Sequence, residues 1–143
     1  MSVTERTQQL RVVAEILLVH IPGLLPKDQP LAHDLLAVAG TALSNIYEDA
    51  EQSTKAWDKR AYHTKAEELR QEWGWALGAA NYATGLALNP APLTAESIDK
   101  LQRLIRPDLE KPARRQIKDP GNFRGAAQAV KAHQAQQRSI SRE

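Results

Sequence analysis

The chain has no cysteine. That absence removes disulfides, thiolate nucleophiles, iron–sulfur clusters and cysteine-based zinc sites together. Aromatic residues are few, at 5% of the chain. Long hydrophobic runs are also missing. The apolar stretch from Val12 to Ile21 carries Glu15 and His20, and it is far shorter than the roughly 20 residues a membrane span requires. The opening residues Met1-Ser2-Val3-Thr4-Glu5-Arg6 are polar and of both signs, so no secretory signal and a cytoplasmic location are expected. No segment alternates apolar and polar residues as a half-buried strand would.

Motifs for common chemistries are missing too. There is no G-x-x-x-x-G-K-[ST] loop, no dinucleotide fingerprint and no G-x-S-x-G elbow. The Glu-x-x-His pair of a di-iron bundle does not occur. His63 and Glu67 have the i,i+4 spacing that would let them share one metal. Glu48 with Glu51, and Glu96 with Asp99, have the spacing of carboxylate pairs that hold Mg²⁺. Each has a simpler explanation as a solvated helix face or, for Glu96, as a favourable charge in a first turn. No catalytic residue, metal or cofactor is therefore expected, and a small metal-dependent enzyme is a remote alternative.

What is present is a globular composition. The 143 residues are 42% hydrophobic and 25% charged, with a net charge of +2. The charge is unevenly placed. From Lys111 onward eight cations face only Asp119 and Glu143, a net of +6, which leaves −4 on the chain before it. An acidic body with a basic C-terminal segment suggests a polyanion or an acidic protein surface as partner.

Prolines divide the chain. Pro22, Pro26 and Pro30 mark one loop, Pro90 and Pro92 another, and Pro107, Pro112 and Pro120 punctuate the basic segment. The first expected helix runs from about Val3 to His20, with a Ser2–Glu5 capping box and an apolar stripe of Leu10, Val13, Ala14, Leu17 and Ile21. The second begins near Pro30, a good first-turn residue, with Asp28 or Gln29 outside it and Leu31, Leu35, Val38, Ala42 and Ile46 on one face. Ala39 and Gly40 beside that face permit close helix approach.

A single helix from Leu31 to Leu88 would be roughly 87 Å long, too long for so small a chain. A break is therefore expected at Gln52-Ser53-Thr54, with Ser53 or Thr54 capping a third helix. The fourth starts at the N-cap Thr94, carries Ile98, Leu101, Leu104 and Ile105 inward, and stops at Pro107. A weak helical stretch from about Asn122 to Gln137, anchored by Phe123 and Val130, needs docking to be stable. The expected fold is all-α: an antiparallel bundle of about four helices over residues 1–110, and a basic, partly helical C-terminal extension over residues 111–143.

Read as one helix, residues 53–86 place Tyr62, Ala66, Leu69, Trp73, Leu77 and Ala80 on a core face. Trp57, Ala61, Thr64, Glu68 and Trp75 fall opposite. Trp57 and Trp75 are accordingly candidate interface residues, with base stacking as a lesser possibility. Lys55, Lys59, His63 and Arg70 fall within about an 80° arc on that reading.

No zinc finger, RNP motif or GXXG loop is present, and Gly74-Trp75-Ala76-Leu77-Gly78 reads as helical packing. What remains is charge without a sequence code. Arg114, Arg115, Lys118, Arg124 and Lys131 are the candidate phosphate contacts, and Lys59 and Arg70 extend that surface. The expected function is a non-enzymatic accessory subunit of a nucleoprotein assembly. In size, helicity and charge the chain resembles small helical subunits of RNA-guided effector complexes, an analogy of profile alone. The alternative is a protein–protein adaptor or homo-oligomer with no nucleic acid. A protein partner or self-association is expected in either case, and no membrane.

Overall fold

The computed structural model describes residues 3–106 and 108–142, with side chains over 5–106 and 108–140. Ser2 of the expected capping box and Pro107, the expected stop, lie outside the described residues, as does Glu143. The chain is all-helical, and among the described residues no strand occurs. The elements are α1 (Val3–Glu15), a π turn (Ile16–His20), α2 (Ile21–Leu24), α3 (Gln29–Lys59), α4 (His63–Trp73), α5 (Trp75–Leu88), α6 (Ala95–Ile105), a 3₁₀ turn (Pro120–Phe123) and α7 (Ala126–Arg142). α1, the π turn and α2 run on as one rod, and α4 and α5 join at Gly74, so the described residues form five helical rods. No helix among the described residues is long and apolar enough to cross a membrane.

The first rod carries more apolar surface than one stripe, and five consecutive residues, Val13 to Leu17, are buried. The π turn adds a residue to one helical turn, and it puts Ile16, Leu17 and His20 all into the interior. α3 starts as expected. Asp28 is its N-cap, accepting from Leu31 N at 3.1 Å, and Pro30 sits in the first turn where its missing N–H costs nothing.

The expected break at Gln52-Ser53-Thr54 is corrected: α3 runs through it unbroken to Lys59. Thr54 does not cap a new helix. Its Oγ1 donates to Ala50 O at 2.9 Å, turning the hydroxyl back onto the preceding turn. The chain reverses instead at Arg60–Tyr62. Tyr62 N donates to Trp57 O at 2.9 Å and Ala61 N to Asp58 O at 3.0 Å. These two bonds define a Schellman motif, with Ala61 in the left-handed position at φ 64°. Trp57 and Tyr62 make the apolar contact that such a motif favours, ring edge to ring face at 5.5 Å.

The correction redistributes the aromatic residues. Trp57 belongs to the end of α3, whereas Trp73 and Trp75 flank the Gly74 joint. Ala66, Trp73 and Ala80 are buried as the helical wheel predicts, but Tyr62 is 56% and Leu77 43% exposed. The wheel failed because residues 53–86 are not one helix.

α3 is the central rod. Its Ala39, Gly40 and Leu43 lie against the alanine-rich face of α5, where Ala76, Ala79, Ala80, Ala83 and Ala87 are buried. The helices approach so closely that a Cβ on Gly40 would stand 2.5 Å from Thr84 Oγ1. α6 begins at Thr94, whose Oγ1 accepts from Ser97 N at 3.1 Å, and buries Ile98, Leu101 and Ile105. Leu104, expected inward, is 42% exposed. A smaller cluster of Ile46, Ala50, Trp73 and Ala76 closes the far end.

Candidate nucleic-acid interface

Among the described residues beyond Ile105 no helix forms until Pro120, yet this stretch is anchored. Ile117 is buried in the main core. Around it, the Glu15 carboxylate accepts from Gln116 N at 2.6 Å and from Ile117 N at 2.8 Å. Glu15 is itself buried and 2.9 Å from Nε2 of buried His20. A carboxylate only accepts, so His20 donates from Nε2. Burial pushes the Glu15 carboxyl up, but the His20 bond, the two amides and the His20 charge outweigh it and hold the group below its ordinary value.

Two more carboxylates of the body grip the same region. Asp28 accepts from Arg124 Nη2 at 2.7 Å, and this bond, helped by the Leu31 amide, holds Asp28 below its ordinary range and raises Arg124. Asp34, also buried, accepts from Gly125 N and Ala127 N, each at 2.9 Å. It therefore caps α7 from another helix, satisfying amides that have no partner within α7. Gly125, at φ +97°, makes the joint that delivers those amides.

The anchored segment displays its cations outward. Lys111, Arg114, Arg115 and Lys118 are exposed, and among the described residues none pairs with a carboxylate. Lys131 is exposed on α7. Arg124 differs, because its charge is already engaged by Asp28. A groove of about 310 Å³ lies between α1 and residues 106–110, but Arg11 and Arg106 share it with Asp108 and Glu110. Arg106 is paired with Asp108 at 3.3 Å.

The remaining sequence candidates sit elsewhere. Lys59 is exposed at the end of α3. Arg70 is on α4, bonded to Asp58 and paired with Glu67 at 3.4 Å. Asp58 also accepts from His63 Nδ1 at 2.9 Å, so it fastens α3 to α4. His63 and then Arg70 hold its carboxyl below the ordinary range. His63 thus faces Asp58 rather than Glu67, and Asp99 pairs with Arg103 at 2.9 Å. No three His, Asp or Glu side chains among the described residues are grouped to hold a metal ion.

Trp57 and Trp75 are both half-buried. Trp75 packs on the core beside Trp73 at 6.1 Å and donates from Nε1 to Glu72 O at 2.8 Å. Trp57 is covered by Arg60 and Lys65, whose cationic groups lie 6.0 and 5.9 Å from its ring centroid. Sequence reasoning missed Glu15, Asp28 and Asp34 as the residues that seat the C-terminal segment. A buried acid inside an apolar run, as at Glu15, was the available signal.

Compared with known proteins, the chain matches no family model, and no curated sequence or solved structure is significantly similar to it.

Proposed function

We propose that the chain is a non-catalytic accessory subunit that binds nucleic-acid phosphates through Lys111, Arg114, Arg115 and Lys118, with Lys131 alongside. Its helical body, which we read as an antiparallel bundle, serves as the scaffold. The supporting observation is that, among the described residues, these cations pair with no carboxylate, and the first four stand on a segment whose backbone is seated by Glu15 and Ile117. A seated cation loses less freedom on meeting a phosphate than one on a loose tail. Arg124 and Arg70 contribute less on this reading, since each is already engaged by an aspartate. Phosphate contacts without base contacts give salt-sensitive, sequence-tolerant binding.

The test is anisotropy of short labelled RNA, single-stranded DNA and duplex DNA with the full chain and with R114A/R115A/K118A, across a range of salt. Weaker binding of every probe by the variant, with the slope of log K against log salt reduced by about 3, supports the reading. No binding to any probe at low salt overturns it.

The second reading, an adaptor or homo-oligomer, is favoured by Leu77, 43% exposed beside a cavity of about 240 Å³ lined by Tyr47, Leu69 and Trp73. Sedimentation that gives a monomer at every concentration removes its oligomeric form.

A further inference from the structure

The turn between α3 and α4 carries a second set of cations, here arranged around aromatic rings. Lys55, Lys59, Arg60 and Lys65 fall within one short stretch that holds a single carboxylate, Asp58. Asp58 is engaged by His63 and Arg70, and among the described residues none of the four cations pairs with a carboxylate. Two of them lie over the Trp57 ring, and Tyr62 forms a T-shaped pair with that ring, with planes at 89°.

The Schellman motif explains an apolar contact between the residues at these two positions. It does not call for a tyrosine left 56% exposed. The tip is also firmly built. Backbone bonds close the turn, the Asp58 clasp ties α3 to α4, and Ala61 is held in a conformation unfavourable for a residue with a Cβ. A largely exposed tyrosine and several cations are thus presented together at one built turn. That combination matches an unpaired nucleotide, which offers a base face to stack and phosphates to neutralise. A duplex offers phosphates but keeps its base faces stacked inside.

We infer that the α3–α4 tip is a binding site for unpaired nucleotides, with a base stacking on Tyr62 and flanking phosphates meeting Lys59 and Arg60. The inference rests on the reading that the partner is a nucleic acid, but on residues other than the 111–118 segment.

The experiment measures binding of the full chain to a short labelled oligothymidylate and to a duplex of equal length, for the parent, Y62L, Y62F and R114A/R115A/K118A. Leucine keeps the apolar contact with Trp57, so Y62L is expected to melt close to the parent. Y62L should bind oligothymidylate about tenfold more weakly, with duplex affinity unchanged, while Y62F retains binding. The indole N–H resonance of Trp57, identified by its loss in W57F, should shift with oligothymidylate, and by more than inorganic polyphosphate shifts it through Arg60. Unchanged oligothymidylate affinity in Y62L, or a silent Trp57 resonance at saturation, overturns the tip site. If R114A/R115A/K118A weakens both probes while Y62L weakens neither, the tip falls and the segment reading stands. If Y62L acts and the triple variant does not, the tip stands and the segment reading falls. Absence of oligothymidylate binding by the parent overturns the tip site.

Discussion

At φ 64°, Ala61 occupies the left-handed region, which costs a residue with a Cβ about 1–2 kcal/mol. Ala61→Gly removes that cost while giving the unfolded chain more freedom. A net gain of about 0.5–1 kcal/mol is expected, read as a higher Tm. A lower Tm would mean that the turn does not hold this conformation in solution. Glu15 is the opposite kind of residue, fully used by its surroundings. Glu15→Gln halves its accepting capacity toward Gln116 and Ile117 and deprives His20 of a charged partner, at an expected cost of about 1–3 kcal/mol in denaturant unfolding. Its folded carboxyl titrates below the ordinary value. The contribution is therefore fully present above about pH 4.3 and is lost as pH falls through the lower folded value. Tm measured downward from neutral pH should fall less steeply in E15Q than in the parent, and equal slopes would refute this role for Glu15.

At the scale of elements, α7 depends on a cap it does not supply itself. Ala and Gln dominate it, and its inward contacts are few, chiefly Ala126, Ala127 and Val130. Asp34→Ala removes the acceptor for Gly125 N and Ala127 N. The expected cost is about 1–2 kcal/mol. Amides of α7 should exchange faster by hydrogen–deuterium exchange, with those of α3 and α5 unaffected; slowed or unchanged α7 exchange would show that packing alone holds it. The starts of α3 and α6 were legible because Asp28 and Thr94 are N-cap residues ahead of periodic apolar stripes. The end of α3 was not legible. Its Schellman position holds alanine, a strong helix former, where glycine or asparagine would have signalled a stop. Ser53 and Thr54 gave the opposite error, since hydroxyl residues favour caps but also bond back to the preceding turn when buried.

For the whole molecule, the split of charge describes how the chain closes on itself. Carboxylates of the acidic body, Glu15, Asp28 and Asp34, hold the backbone and one arginine of the basic segment. A chain ending at Glu110 would lose buried Ile117 and leave the Glu15 carboxylate without its two amide donors. It should be less stable than the full chain by at least about 2 kcal/mol, checked by urea unfolding of both. Equal stability would mean that the segment adds nothing to the body. Loss of nucleic-acid binding on such truncation would mix lost charge with a weakened body, and for this reason surface substitutions are the better probe.

The sequence by itself determined the helical class, the apolar faces of the first and second expected helices and, apart from Leu104, of the fourth, the N-cap Thr94, and the position of the basic segment. These follow from local rules: side-chain periodicity, capping chemistry and counted charge. Only the tertiary structure decided where α3 ends, which tryptophan belongs to which helix, and which cations are free. Those depend on contacts between residues far apart in the chain, such as Glu15 with Ile117 and Asp34 with Ala127. A carboxylate's partner is set by which backbone amides the packed helices bring within 3 Å of it, as they do here, and no local pattern encodes that.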